Sequence, residues 1–193
     1  MSKAIENAER KRGEIVSTAQ VLFLQHGYGV ISMDRIAHEA GVTKQTVYRY
    51  YPSKETLFAA VMEQVRGGMT SGYAFGSETV GEELLGFGEY LLAFHLKPQA
   101  LGLYRLMLIE GNNSALHKTF MNTGPQRVIQ VLIEFLQQRL GKQFDAPFYA
   151  QMFITMILMP RNQILMNTKT RMTKAAQQDH VSKVVELFLR TLP

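Results

Sequence analysis

Ser32-Met-Asp-Arg-Ile-Ala-His-Glu-Ala-Gly-Val-Thr-Lys-Gln-Thr-Val-Tyr-Arg-Tyr-Tyr-Pro-Ser-Lys54 reads as two short helices joined by a tight turn. Ser32 is a good N-cap for a helix through Glu39, and Thr43 caps a second helix over Lys44–Tyr50. Ala40-Gly41-Val42 is the turn, and Gly41 can take the left-handed conformation a sharp turn needs. Ile36 and Val47 supply apolar packing, one from each helix, while the small Ala37 lets the helices cross closely. A small residue, a glycine four positions later and an apolar residue six after that is the spacing of a helix-turn-helix.

The second helix carries the chemistry of a reading head. Thr43, Lys44, Gln45 and Thr46 can all donate hydrogen bonds to base edges or phosphates. Between Ala40 and Lys54 stand three basic residues, Lys44, Arg49 and Lys54, and no acidic one. Tyr48 and Tyr50 point to different sides of the helix, so they cannot both be core. Lys54 opens the following helix, whose free N–H groups also favour a phosphate. The alternative for the same stretch is a packed helical hairpin with a solvated basic face.

Outward from this stretch the pattern stays helical. Residues Glu9–His26 place Ile15, Ala19, Leu22, Phe23 and His26 on one stripe, and Gly27 follows as a stop. Gly13 weakens the first turns of that helix. Ser53 caps a helix whose apolar stripe is Leu57, Phe58, Val61, Met62 and Val65. Gly67–Ser77 is the richest glycine stretch and reads as a linker. It divides the chain into a helix-turn-helix domain with its connecting helix, residues 1–66, and a helical domain, residues 67–193. Helical segments follow near Val80–His95, Pro98–Glu110, Ser114–Thr123, Pro125–Leu140, Pro147–Asn167 and Lys174–Leu192, with prolines where a first turn accepts them. Strand signals are weak and no internal repeat is visible, so the fold class is all-α with about nine helices.

Composition narrows the function classes. The 193 residues are 46% hydrophobic and 19% charged, which describes a globular chain with a real core. The net charge of +5 divides into +2 over residues 1–66 and +3 over the rest, so DNA binding rests on the local pattern and not on total charge. Without cysteine, disulfides and thiolate metal sites are excluded, and a reducing, cytoplasmic compartment fits. No apolar leader or membrane span is visible. No nucleophile elbow, phosphate-binding Gly-Lys-Ser/Thr loop or His-Glu-x-x-His occurs, and His26, His38, His95, His117 and His180 lack ligand spacing. The expectation is a non-enzyme with no metal and no cofactor.

The run Ala19…Leu22-Phe23…His26-Gly27-Tyr28, Ile36-Ala37…Ala40-Gly41-Val42-Thr43-Lys44…Thr46-Val47-Tyr48-Arg49-Tyr50-Tyr51-Pro52-Ser53-Lys54-Glu55…Leu57-Phe58 resembles the DNA-binding domain of the TetR/AcrR family of bacterial transcription regulators. The resemblance implies that Thr43, Lys44, Gln45, Thr46, Tyr48 and Arg49 face the major groove. It also implies that Tyr50, Lys54 and the start of the Ser32 helix hold phosphates, with Tyr51 and Phe58 in the core. Arg49 stands where histidine or tryptophan is often found.

Leu103-Tyr104-Arg105-Leu106-Met107-Leu108-Ile109-Glu110, with Phe120…Gly124-Pro125, resembles the AefR-like subgroup. The rear domain is rich in methionine, which packs adaptably and suits an apolar ligand as well as a plain core. Arg105, Met107, Glu110, Met121, Gln126, Met152 and Met156 are candidate contacts for a small, apolar effector. Val181, Val184, Val185 and Phe188 are candidates for a dimer interface built from the last two helical segments. The resulting expectation is a homodimeric repressor on a pseudo-palindromic operator, released by its effector. The alternatives are a helical protein-interaction module and a transcriptional activator without a small-molecule effector.

Overall fold

The computed structural model describes residues 3–66, 73–76, 78–110, 116, 118, 125–168 and 170–193. Among them are nine helices and no strand. They are α1 (Lys3–His26), α2 (Met33–Glu39), α3 (Lys44–Tyr50), α4 (Lys54–Arg66), α5 (Val80–His95), α6 (Pro98–Ile109), α7 (Pro125–Leu140), α8 (Ala146–Leu165) and α9 (Lys174–Leu189). Apart from Leu116 and Lys118, which are helical, the expected helix Ser114–Thr123 lies outside the described residues, as does Met121.

Two compact units emerge. The first groups the described residues of Met1–Gly68 with those of Gly102–Thr123; the second takes Met69–Leu101 and Gly124–Pro193. The first unit therefore includes a piece of chain that the sequence reading places in the rear domain.

In the first unit, α1 packs on α4 and α2 on α1 and α3. Its core is the α1 stripe Ile15, Ala19, Leu22 and Phe23 with Ile36, Val47, Leu57, Phe58 and Val61, joined by Leu103, Leu106, Met107 and Leu116. Phe23, Tyr28 and Phe58 form an aromatic triangle with centroids 5.2 to 5.9 Å apart. Such tilted and edge-on contacts let each ring edge meet a neighbour's electron-rich face. Helix α1 begins at Lys3, six residues before the expected Glu9. An Arg10–Glu14 pair at i, i+4 spans Gly13. His26, expected on the buried stripe, is exposed in the last turn of α1.

The second unit is built on α5, with α8 and α9 packed against it and α7 against α8. Gly88 makes the close approach possible, since a Cβ there would lie 2.8 Å from Val181 Cγ1 and 3.0 Å from Ile157 Cδ1. Helix α5 starts with a complete capping box: Thr79 Oγ1 accepts from Glu82 N–H, and Glu82 reaches back to Thr79 N–H. Residues 73–76 belong to this core. Phe75 stacks on Phe135 at 4.0 Å. Buried Glu83 accepts from Gly76 N–H and from Tyr73 Oη, while Arg139 donates to the carbonyls of Gly76 and Glu78 at 2.9 and 3.1 Å.

Helix α8 carries Pro160 in its interior. Proline has no N–H, so the carbonyl of Met156 loses its usual donor one turn later. His180 of α9 fills the gap: Nε2 lies 3.1 Å from Met156 O and 3.2 Å from Ile157 O. Carbonyl oxygens only accept, so Nε2 carries the proton and donates to both.

Candidate nucleic-acid interface

Local chemistry positions the α2–turn–α3 element. Ser32 Oγ accepts from Arg35 N–H, and Thr43 Oγ1 accepts from Thr46 N–H, both at 3.2 Å. Between the helices Gly41 adopts φ +63°. Its turn is closed by Val42 N–H to Ala37 O at 3.0 Å and Gly41 N–H to His38 O at 3.1 Å. These bonds satisfy the last carbonyls of α2. Ile36 and Val47 are fully buried and Ala37 nearly so.

Burying Val47 fixes the rotation of α3. Thr43, Lys44, Gln45, Tyr48 and Arg49 are exposed, and Thr46 and Tyr50 are half-buried. Gln45, Thr46, Tyr48 and Arg49 line one surface concavity of about 410 Å³. The Thr43 and Thr46 hydroxyls bond each other at 2.8 Å, so part of their capacity is spent within the helix.

Each basic side chain of the interval has an internal partner. Lys44 Nζ lies 2.8 and 2.9 Å from the two carboxylate oxygens of Asp34 on α2, and 5.8 Å from the Tyr48 ring centroid. Hydrogen bonding to Asp34, and then its charge, raises the Lys44 pKa. The Arg49 guanidinium sits 5.0 Å from the Tyr50 ring and donates to its hydroxyl at 3.4 Å. Lys54 is half-buried. Its ammonium lies 4.3 Å from the Tyr28 ring centroid and donates to Gly29 O at 3.3 Å. Burial pulls the Lys54 pKa down, opposed by Glu110 and Glu55. The Tyr28 phenol is pushed up, first by burial and then by the negative charge of Glu55.

Three participants had no sequence signal as part of this interface. Asp34 lies outside the acid-free interval yet pairs with its first lysine. Arg12 of α1 donates to the hydroxyl of buried Tyr51 at 3.3 Å. Glu110, expected as an effector contact, accepts from Gly29 N–H at 2.8 Å and so braces the loop before α2.

The other rear-domain candidates divide between the two units. Met107 is buried in the first unit's core and Arg105 is exposed. Met152 and Met156 are half-buried against the second unit's core. Met121 and the side chain of Gln126 lie outside the described residues. Neither unit by itself gathers the set.

Val181, Val184, Val185 and Phe188 face inward in the second unit. Their side chains are used by the unit's own core. The large apolar side chains that α8 and α9 leave exposed are Phe148, Met159, Leu187 and Leu189.

His95 of α5 is buried, with Nδ1 3.3 Å from Arg161 Nη1. Burial, and then the Arg161 charge, pushes its pKa down to about 3. Among the described residues no three His, Asp or Glu side chains converge on a metal-sized space. No helix among them is long and apolar enough to cross a membrane.

Comparison with known proteins agrees with this geometry. Residues 15–61 match the model of bacterial regulatory proteins of the tetR family. Residues 82–191 match the C-terminal domain of AefR-like transcriptional repressors. The transcriptional activator FasR of Mycolicibacterium smegmatis is 34% identical over 33% of this chain, and the match spans 29% of FasR. The transcriptional repressor SCO4008 of Streptomyces coelicolor is 39% identical over 32% of this chain and 32% of its own. Among solved structures, the flavonoid-responsive regulator FrrA superposes with a TM-score of 0.80 at 26% identity, covering 96% of this chain and 98% of FrrA. A TetR family regulator from Pseudomonas syringae shares the fold, with a TM-score of 0.76 at 24% identity over 94% of this chain and 96% of that one. A reading head capped by Ser32 and Thr43, followed by an AefR-like helical domain, makes this chain a member of the tetR family of bacterial transcriptional regulators.

Proposed function

We propose that this regulator acts as a homodimer that represses transcription from a pseudo-palindromic operator and leaves it when a small apolar effector binds the C-terminal domain. The observation that carries the DNA-reading part is the rotation of α3. Val47 is fully buried, which turns Gln45, Tyr48 and Arg49 outward together beside Lys44. In this reading Gln45 and Arg49 supply donors to base edges, while Lys44 and Tyr48 contact base edges or phosphates. One seven-residue helix offers few base contacts, so specificity requires two copies reading half-sites about 34–36 Å apart.

The dimer part takes its support from the exposed Phe148 and Met159 of α8 and Leu187 of α9. Burying such groups between two copies would form a four-helix contact. The effector part takes its support from the half-buried, adaptable Met152 and Met156 and from the flavonoid response of FrrA. Release requires the effector to bind the DNA-free arrangement more tightly than the DNA-bound one.

Selection of bound duplexes from a random pool, repeated with candidate apolar effectors, tests the reading. The expected product is an inverted repeat whose enrichment falls when the right effector is added. Enrichment of no sequence would sink the DNA-reading claim, and an unpaired motif would sink the dimeric one.

A further inference from the structure

Asp34 is the carboxylate that reaches into an otherwise acid-free reading interval. Its two oxygens take Lys44 Nζ at 2.8 and 2.9 Å, and both side chains are 60% exposed. The pair bridges α2 and α3, so it is not an accident of neighbouring positions on one helix. Asp34 also sits in the first turn of α2, where a negative charge is stabilised by the helix dipole.

This arrangement changes what Lys44 can offer to DNA. Any phosphate that takes Lys44 must displace a carboxylate already bonded to it and must tolerate that carboxylate nearby. Non-cognate duplex supplies phosphates and little else in compensation, because non-specific affinity is almost entirely phosphate electrostatics. A base pair that accepts from Lys44 and donates to Asp34 keeps both partners satisfied. In the major groove guanine presents two acceptors, O6 and N7, and its paired cytosine presents the N4 amino donor beside them. The ammonium and carboxylate at hydrogen-bond distance mirror that acceptor–donor edge.

We propose that Asp34 is a specificity-determining residue: paired with Lys44, it penalises contact with bare phosphate and favours a G·C pair in each half-site. The inference deepens the DNA-reading function proposed above and rests on it.

The test compares the full-length protein with Asp34→Asn, which keeps size and one acceptor oxygen but removes the charge. Affinity is measured for a random-sequence duplex and for the duplex selected by the unmodified protein, and selection from a random pool is repeated with the variant. The variant should bind random duplex more tightly, by up to about fivefold, the upper end for a freed surface ion pair. Its salt dependence should steepen by about 0.9 in log–log slope, as for one more neutralised phosphate. The ratio of selected to random affinity should fall, and one G·C preference per half-site should weaken in the selected motif. Unchanged or weaker binding to random duplex would overturn the proposal, because Asp34 would then merely position Lys44. An unaltered base preference at every position would overturn the G·C assignment. If the unmodified protein itself enriches no sequence, the DNA-reading function fails first, and that outcome is distinct from both.

Discussion

The His180–Pro160 pair lies in the two helices on which the proposed dimer depends, and it makes a sharp energetic prediction. Replacing His180 with phenylalanine keeps a planar ring but deletes the donor that serves Met156 O and Ile157 O. Pro160 cannot supply the missing N–H to Met156 O, so that acceptor loses its partner. Leaving one buried carbonyl unsatisfied costs about 1–3 kcal/mol. Because Met156 and His180 are half-buried and water can partly substitute, the lower half of that range, about 1–2 kcal/mol, applies. The assay is urea unfolding followed by circular dichroism, on His180→Phe, Pro160→Ala and the double variant. Pro160→Ala restores an intrahelical N–H for Met156 O, so the His180 substitution should cost less in that background, with a coupling of about 1 kcal/mol. Equal cost in both backgrounds, or a cost under about 0.3 kcal/mol in the native background, would refute the idea that His180 substitutes for the proline's missing donor.

Three further perturbations bear on the account. His95 is held neutral in the folded chain, with a pKa near 3 against 6.5 for an ordinary histidine, so the unfolded chain binds more protons between those values. Its contribution to stability is full above pH 6.5 and is lost as pH falls towards 3; at pH 5 the loss is about 2 kcal/mol. His95→Gln should flatten the stability curve in that window, and an unchanged slope would contradict the assignment. Thr43→Ala removes the α3 cap and should destabilise the reading head by about 1 kcal/mol, seen as a lower thermal midpoint together with weaker DNA binding. Phe148→Glu combined with Leu187→Glu should convert dimer to monomer in sedimentation velocity while helicity is retained; persistence of the dimer would move the interface elsewhere.

The reading head is legible in the sequence because its determinants act locally. Ser32, Gly41 and Thr43 work within a few bonds of themselves, and Val47 needs only helical periodicity to announce which face turns inward. The rest depends on partners far along the chain. Glu110 embedded in a greasy segment is a plausible effector contact until Gly29, 81 residues away, is seen to occupy it. Likewise, Val184 and Leu187 are both apolar members of α9, and only the placement of α5 and α8 decides that Val184 faces the core and Leu187 does not. Tyr73 and Phe75 sit inside the glycine-rich stretch 67–77, whose composition suggests a linker, yet their rings pack against Phe87 and Phe135. His180 reads as an ordinary helix histidine because its role exists only opposite Pro160 of another helix.

The central claim is that the exposed face of α3 reads DNA through Lys44 and Tyr48. Fluorescence anisotropy with the selected duplex over a salt series tests it most directly, comparing the unmodified protein with Lys44→Ala and Tyr48→Ala. The account predicts affinity that falls steeply and linearly in log–log form with salt. It also predicts loss of sequence-specific binding in both variants, with circular dichroism and thermal midpoint preserved because both side chains are exposed. Salt-independent affinity, or binding by both folded variants equal to that of the unmodified protein, would contradict it.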